Sequence, residues 1–125
     1  MLKYTHSQLM IVSIFYEVHM MKLWIDDVRP APKGYVWCKS VNETIGTIDA
    51  INIMSDDFDT PITLIDFDHD AGNYAIDGGD YIKILDYLEE CYGKDLPFAL
   101  RLHSMNPVGV ENMRRIIQRN GWKEI

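Results

Sequence analysis

The chain of 125 residues, 47% hydrophobic and 25% charged, is sized for one globular core, because a second core would leave too few residues for either. Its net charge of −7 repels duplex phosphate, which excludes a sequence-independent clamp on double-stranded nucleic acid and leaves room for a nucleotide-sized or single-ended substrate. Cys38 and Cys91 have neither paired nor metal-ligand spacing, so the expectation is a reducing, cytoplasmic setting without disulfide or zinc-thiolate chemistry.

The segment "QLMIVSIFY" (8–16) is apolar but too short to span a bilayer, and no small-residue cleavage site follows it. No membrane anchor and no signal peptide are expected. Residues 1–20 read either as an upstream extension of the gene model or as an N-terminal element docked on the sheet. The functional domain is expected over 21–125.

From Met21 the chain alternates between strand and helix patterns. "KLWID" (22–26) and "GYVWCK" (34–39) read as strands, and "DVRPAPKG" between them holds two prolines and a glycine, which exclude a helix. That link is shorter than the dozen or so residues of a parallel crossover, so the second strand is predicted antiparallel to the first. "SVNE" from Ser40 is a capping box, and Val41, Ile45, Ile48 and Ile51 keep helical spacing towards Met54. After the polar turn "SDDFDTP" (55–61), "ITLIDF" (62–67) reads as a central strand. A loop with glycines leads to a helix from Gly79 to Tyr92, stopped by Gly93, and "PFALRLH" (97–103) is the next strand. Asn106 before Pro107 signals a helix start, with Val110, Met113, Ile116 and Ile117 inward and Asn120–Gly121 as its end. The tail "WKEI" is a candidate short edge strand.

Such alternation predicts a mostly parallel sheet covered on both faces, with ligands outside the carboxyl ends of its strands. Those ends carry Asp26, Asp27 and Arg29; Asp66, Asp68, His69 and Asp70; and His103, Ser104 and Asn106. Two carboxylates ~5 Å apart at an effective dielectric of ~20 repel by roughly 3 kcal/mol, so four in one pocket call for a cation or a proton. No lysine stands near these clusters in sequence. A hard divalent ion, Mg²⁺ or Mn²⁺, with carboxylate, water and phosphate oxygens is the natural compensation, and ligation by His69 or His103 would favour Mn²⁺ or another transition metal. Solvated loop acids are the alternative for Asp68, Asp70 and Asp77 taken singly.

"WIDDVRPAPKGY", "LIDFDHDAG" and "LRLHSMNPVGVENMRRII" resemble the cyclic-phosphate-processing receiver-like domain, a family of small bacterial and phage proteins related to the receiver domains of two-component response regulators. The resemblance covers about residues 22–122. It implies a three-layer, receiver-like (flavodoxin-like) α/β sandwich with a mostly parallel four- to five-stranded sheet, truncated after the fourth helix, and a role in processing cyclic phosphates. Carried over by position, Asp26 and Asp27 match the metal-binding acidic pair, Asp66 or Asp68 stands where a receiver has its phosphoacceptor, and Ser104 matches the hydroxyl residue after the fourth strand. A signalling receiver also has a lysine after its fifth strand followed by a further helix. Here Lys123 comes too early and the pattern argues against phosphoryl signalling.

The site expected on these grounds is a metal-dependent phosphoesterase centre for cyclic nucleotides or 2′,3′-cyclic phosphate ends. Asp26, Asp27 and Asp66 would hold the metal, Asp68 or His69 would act as base, and His103 would protonate the leaving oxygen or contact phosphate. Arg29, Ser104 and Asn106 would bind phosphate oxygens, although Arg29 could equally pair with Asp27. The loop 69–79 could close over substrate. A haloacid-dehalogenase-like reading of "DFD" fits less well, because Asp70 stands where that family has Thr or Val. The alternative from another class is a non-catalytic receiver-like module that binds a phosphorylated ligand. Arg114, Arg115 and Arg119 make the last helix locally basic, which suits a partner surface or a solvated face. The sequence does not indicate an oligomeric state.

Overall fold

The computed structural model describes residues 5, 7–8, 20–55 and 59–125. The expected N-terminal extension therefore lies outside the described residues, apart from Thr5, Ser7, Gln8 and Met20, as does the middle of the "SDDFDTP" turn. No helix among the described residues is long and apolar enough to cross a membrane.

Four strands, β1 (Met21–Ile25), β2 (Tyr35–Cys38), β3 (Ile62–Phe67) and β4 (Ala99–Leu102), form one parallel sheet in the order β2-β1-β3-β4. The helices are α1 (Val41–Met54), α2 (Ile82–Tyr92) and α3 (Pro107–Asn120), with a short 3-10 helix at Gly72–Ile76. This is the receiver-like, flavodoxin-type α/β arrangement. Glu124 adds one parallel bridge to Leu100 beyond β4, so the tail "WKEI" contributes a single rung where a short edge strand was predicted.

The predicted antiparallel β2 is corrected: β1 and β2 are parallel, with Lys22 opposite Tyr35 and Ile25 opposite Cys38. A helical crossover needs about a dozen residues, but retracing a five-residue strand covers only about 17 Å, which five or six extended residues achieve. The proline-rich link 26–34 bends at 27–29, turns at 33–34 and returns without a helix.

Each step from β2 to β3, from β3 to β4 and from β4 to the Glu124 bridge moves in the same direction across the sheet, and right-handed crossovers then put α1, α2 and α3 on one face, so among the described residues helices cover one face where two were expected, and three α-helices stand where four were expected. Their contacts agree. Asn52 of α1 hydrogen-bonds the Tyr92 hydroxyl of α2 at 2.7 Å, and Glu89 of α2 meets Arg119 and Asn120 of α3. Leu23, Ile25, Val36, Cys38, Ile65, Phe67 and Leu100 point into this helical layer and are buried in the core. Full burial of a side chain such as Phe67 or Ile65 contributes about 1.5–3 kcal/mol. By strand alternation the opposite face carries Lys22, Trp24, Tyr35, Trp37, Leu64, Asp66, Ala99 and Arg101.

The helix ends follow the sequence signals. Ser40 accepts the Glu43 N–H at 3.0 Å, while the Glu43 carboxylate reaches back one residue further than a capping box requires, to the Lys39 N–H. Asn106 accepts the Gly109 N–H ahead of Pro107, and Gly121 (φ 69°) closes α3 in a Schellman turn with Trp122 N–H on the Ile117 carbonyl. The predicted helix 79–92 begins three residues late, at Ile82, because Gly78 and Gly79 hold positive φ (114° and 92°).

Candidate functional site

The ends of β1 and β3 are neighbours in the sheet, and the Asp68 N–H donates to the Ile25 carbonyl at 2.8 Å just past the last paired residues. That bond brings the two acidic segments together. One carboxylate oxygen each from Asp26, Asp27 and Asp68 lies within 4.8 Å of the others. Asp26 is fully buried, and its Oδ1 accepts the N–H groups of Val28 (3.0 Å) and Arg29 (2.9 Å), so the turn after β1 fixes the carboxylate. Asp68 Oδ1 accepts the His69 N–H at 2.8 Å. The Asp27 carboxylate lies over Gly72, where a Cβ would come 2.3 Å from Oδ2.

Electrostatics separates the three acids. Burial works to raise Asp26, but its bonds from Arg29, Val28 and His103 outweigh this and hold it below the usual carboxylate value. Asp27 is raised, first by burial and then by the negative charges of Asp26 and Asp68. Three converging carboxylates, one of them destabilised by the other two, form a group that could hold a metal ion.

Asp66, expected as a ligand together with Asp26 and Asp27, stands outside that triad, where Asp68 takes its place. It still lies inside β3, opposite Trp24 and Arg101, so its side chain stands on the sheet face away from the helices. Asp68 lies just past the end of β3, its N–H still bonded to the Ile25 carbonyl of β1. The Asp66 carboxylate instead meets His103 Nδ1 at 2.7 Å and lies 4.0 Å from Arg101. His103 Nε2 meets Asp26 Oδ2 at 2.9 Å, and the imidazole stacks on the Trp24 ring with centroids 3.9 Å apart and planes 3° from parallel. Burial favours the neutral imidazole, yet the carboxylates of Asp66 and Asp26 outweigh it and raise His103 above the ordinary histidine value.

His69 Nδ1 meets Asp70 Oδ1 at 2.8 Å, and the ring packs on Gly109 in the first turn of α3. Asn106 caps α3 and turns its amide towards Asp70, while Ser104 Oγ accepts the Asn106 N–H, so both organise the helix start. The Arg29 guanidinium donates to the His103 carbonyl at 3.1 Å, tying the β1 turn to the end of β4. It makes no ion pair with Asp27. The loop expected to close over substrate is anchored: Asp77 accepts from Ser40 Oγ and Asn42 Nδ2, Asp80 accepts the Ala71 N–H, and the Tyr81 N–H donates to the His69 carbonyl. The basic face of α3 is paired within the chain, Arg114 with Glu124, Arg115 with Glu111 and Arg119 with Glu89.

Sequence reasoning missed Trp24 and Gly109 as parts of the site and placed Gly72 only in the loop that could close over substrate. Strand alternation from Ile25 would have put Trp24 on the Asp26 side. Nothing local marks the two glycines, whose role appears only when His69 and Asp27 pack on them.

No curated protein and no solved structure matches the chain. Residues 21–119 match the family described as the cyclic-phosphate processing receiver domain, in a span that contains β1 to β4, α1, α2, all of α3 but its last residue, and Asp26, Asp27, Asp66, Asp68, His69 and His103. The chain belongs to the cyclic-phosphate processing receiver domain family.

Proposed function

We propose that the protein is a metal-dependent phosphoesterase acting on cyclic phosphates, cyclic nucleotides or 2′,3′-cyclic phosphate ends, with Mg²⁺ or Mn²⁺ as its cation. The observation that carries the reading is the convergence of the Asp26, Asp27 and Asp68 carboxylates at the carboxyl rim of the sheet in a member of this family. A divalent ion bound there supplies electrophilic activation of the phosphoryl group and a more acidic water. The remaining work belongs to side chains. Asp70 orients His69 through Nδ1, which leaves Nε2 to carry a proton to or from substrate, so His69 is the acid-base residue on this reading. The Ser104 hydroxyl and the guanidinium of Arg29 supply hydrogen-bond donors for the non-bridging phosphate oxygens, and Asn106 supports them by holding the start of α3.

The test incubates the full chain with 2′,3′-cyclic nucleotides with and without EDTA. Ring-opened product that disappears with EDTA and returns with Mn²⁺ is the expected result. Saturable binding without product identifies the non-catalytic module instead, and neither binding nor product removes both readings.

A further inference from the structure

His103 is held on every side. Its N–H donates to the Phe67 carbonyl at 2.8 Å, its own carbonyl accepts from Arg29, its ring lies on Trp24, and its two ring nitrogens meet Asp66 (2.7 Å) and Asp26 (2.9 Å). A proton donor to substrate needs a ring nitrogen facing the substrate, and here both face carboxylates of the protein. Turning the ring to free one of them would break two charge-assisted hydrogen bonds and a stacked contact.

Asp66 has a parallel peculiarity. It is nearly fully buried, it is not among the three acids whose oxygens converge, and its bonded route to them is the His103 ring. A carboxylate offers about four lone-pair sites. On Asp26 two N–H groups and His103 Nε2 take three of these, which fixes both the rotamer of the group and the direction of the one that remains.

We propose that His103 is a positioning residue: with Asp66 behind it and Trp24 beneath it, the ring locks the Asp26 carboxylate in the orientation that shares a cation with Asp27 and Asp68. This rests on the metal reading above. It gives Asp66, which stands outside the converging triad, a measurable influence on cation affinity. It also leaves His69 as the proton-transferring histidine.

The experiment measures Mn²⁺ affinity of the full chain by electron paramagnetic resonance of the free ion, for wild type, Asp66→Asn, His103→Gln and the double variant. Each single change is expected to weaken binding about ten-fold, the usual effect of removing a partner that orients a ligand. The double variant should be no weaker than the poorer single one, because both act along one path. Trp24→Leu, which alters no acid, should give a similar loss and provides the measurement if Asp66→Asn does not fold. Wild-type Mn²⁺ affinity in a folded Asp66→Asn or Trp24→Leu variant overturns the inference alone, most clearly if His103→Gln then lowers kcat with KM and affinity unchanged. Absence of Mn²⁺ binding to wild type overturns the inference together with the metal reading.

Discussion

His69 and Gly109 are packed so closely that a methyl group on Gly109 would come 2.4 Å from Cγ of the imidazole. Gly109 is a helical residue without positive φ, so alanine there is favoured by the helix by about 1 kcal/mol while overpacking costs about 1–3 kcal/mol. These terms nearly cancel. Gly109→Ala should therefore leave the protein folded, with stability lowered by at most about 2 kcal/mol, and should displace the His69 ring. If His69 carries the proton, cleavage falls about 100-fold or more with Mn²⁺ affinity retained. Full activity in a folded Gly109→Ala variant would show that the pose of His69 is immaterial to the reaction.

Gly72 poses the reverse case. Its φ of 55° disfavours any side chain by about 1–2 kcal/mol, and its Cβ would stand 2.3 Å from Asp27 Oδ2. The methyl group and the carboxylate cannot both keep their places. Gly72→Ala should lower stability by that amount and weaken Mn²⁺ binding, whereas Gly34→Ala, at φ 87° with no neighbour within 4 Å, should carry a backbone cost and leave binding unchanged. Calorimetric titration of both variants separates the two effects. Equal affinities in the two would mean that the Asp27 position does not matter to the cation.

Ser40, Asn106, Pro107 and Gly121 mark helix ends through local hydrogen bonding and φ preference, so they were readable, and each lies where it was expected. The rim also followed, since the strand ends deliver Asp26, Asp68 and His103 to one place. That Asp68 rather than Asp66 joins Asp26 and Asp27 depends on register. Asp66 and Asp68 stand two positions apart, and whether a strand ends before or after a residue is what pairing decides. The β2 direction failed for a related reason, as the length of a link limits but does not fix how a chain returns. The contacts of Gly72 and Gly109 join segments far apart in the chain, and no local pattern encodes them.

The two cysteines offer a check on the core that is independent of the site. Cys38 ends β2 on the helical side, is fully buried, and burial pushes its thiol up to about 12. Cys91 is exposed on α2. At about pH 8 a thiol-specific reagent should modify Cys91 in the native protein at the rate of a surface thiol, and Cys38 only after denaturant is added. Rapid modification of Cys38 in the folded chain would contradict the packing of α1 over β2.

The bridge of His103 to Asp66 and Asp26 gives stability a pH dependence whose sign can be worked out. His103 is raised when folded, so its contribution is complete below the ordinary histidine value of about 6.5 and is lost as pH rises through the folded value. Asp26 is lowered, so its contribution is complete above the ordinary carboxylate value and is lost as pH falls through the folded one. Asp27 is raised and acts against Asp26, since an acid that is reluctant to ionise in the fold favours the fold when protonated. The acidic side is therefore a mixture, and the test belongs on the alkaline side. Cys38, at about 12, is far from titrating there in the fold. Between about pH 6 and about pH 8, in EDTA, the urea midpoint of wild type should fall more steeply than that of His103→Gln, because the other histidines cancel in the comparison. Parallel slopes for the two proteins would mean that the His103 ring is not held in its charged form, and the two carboxylates would then need another source of compensation.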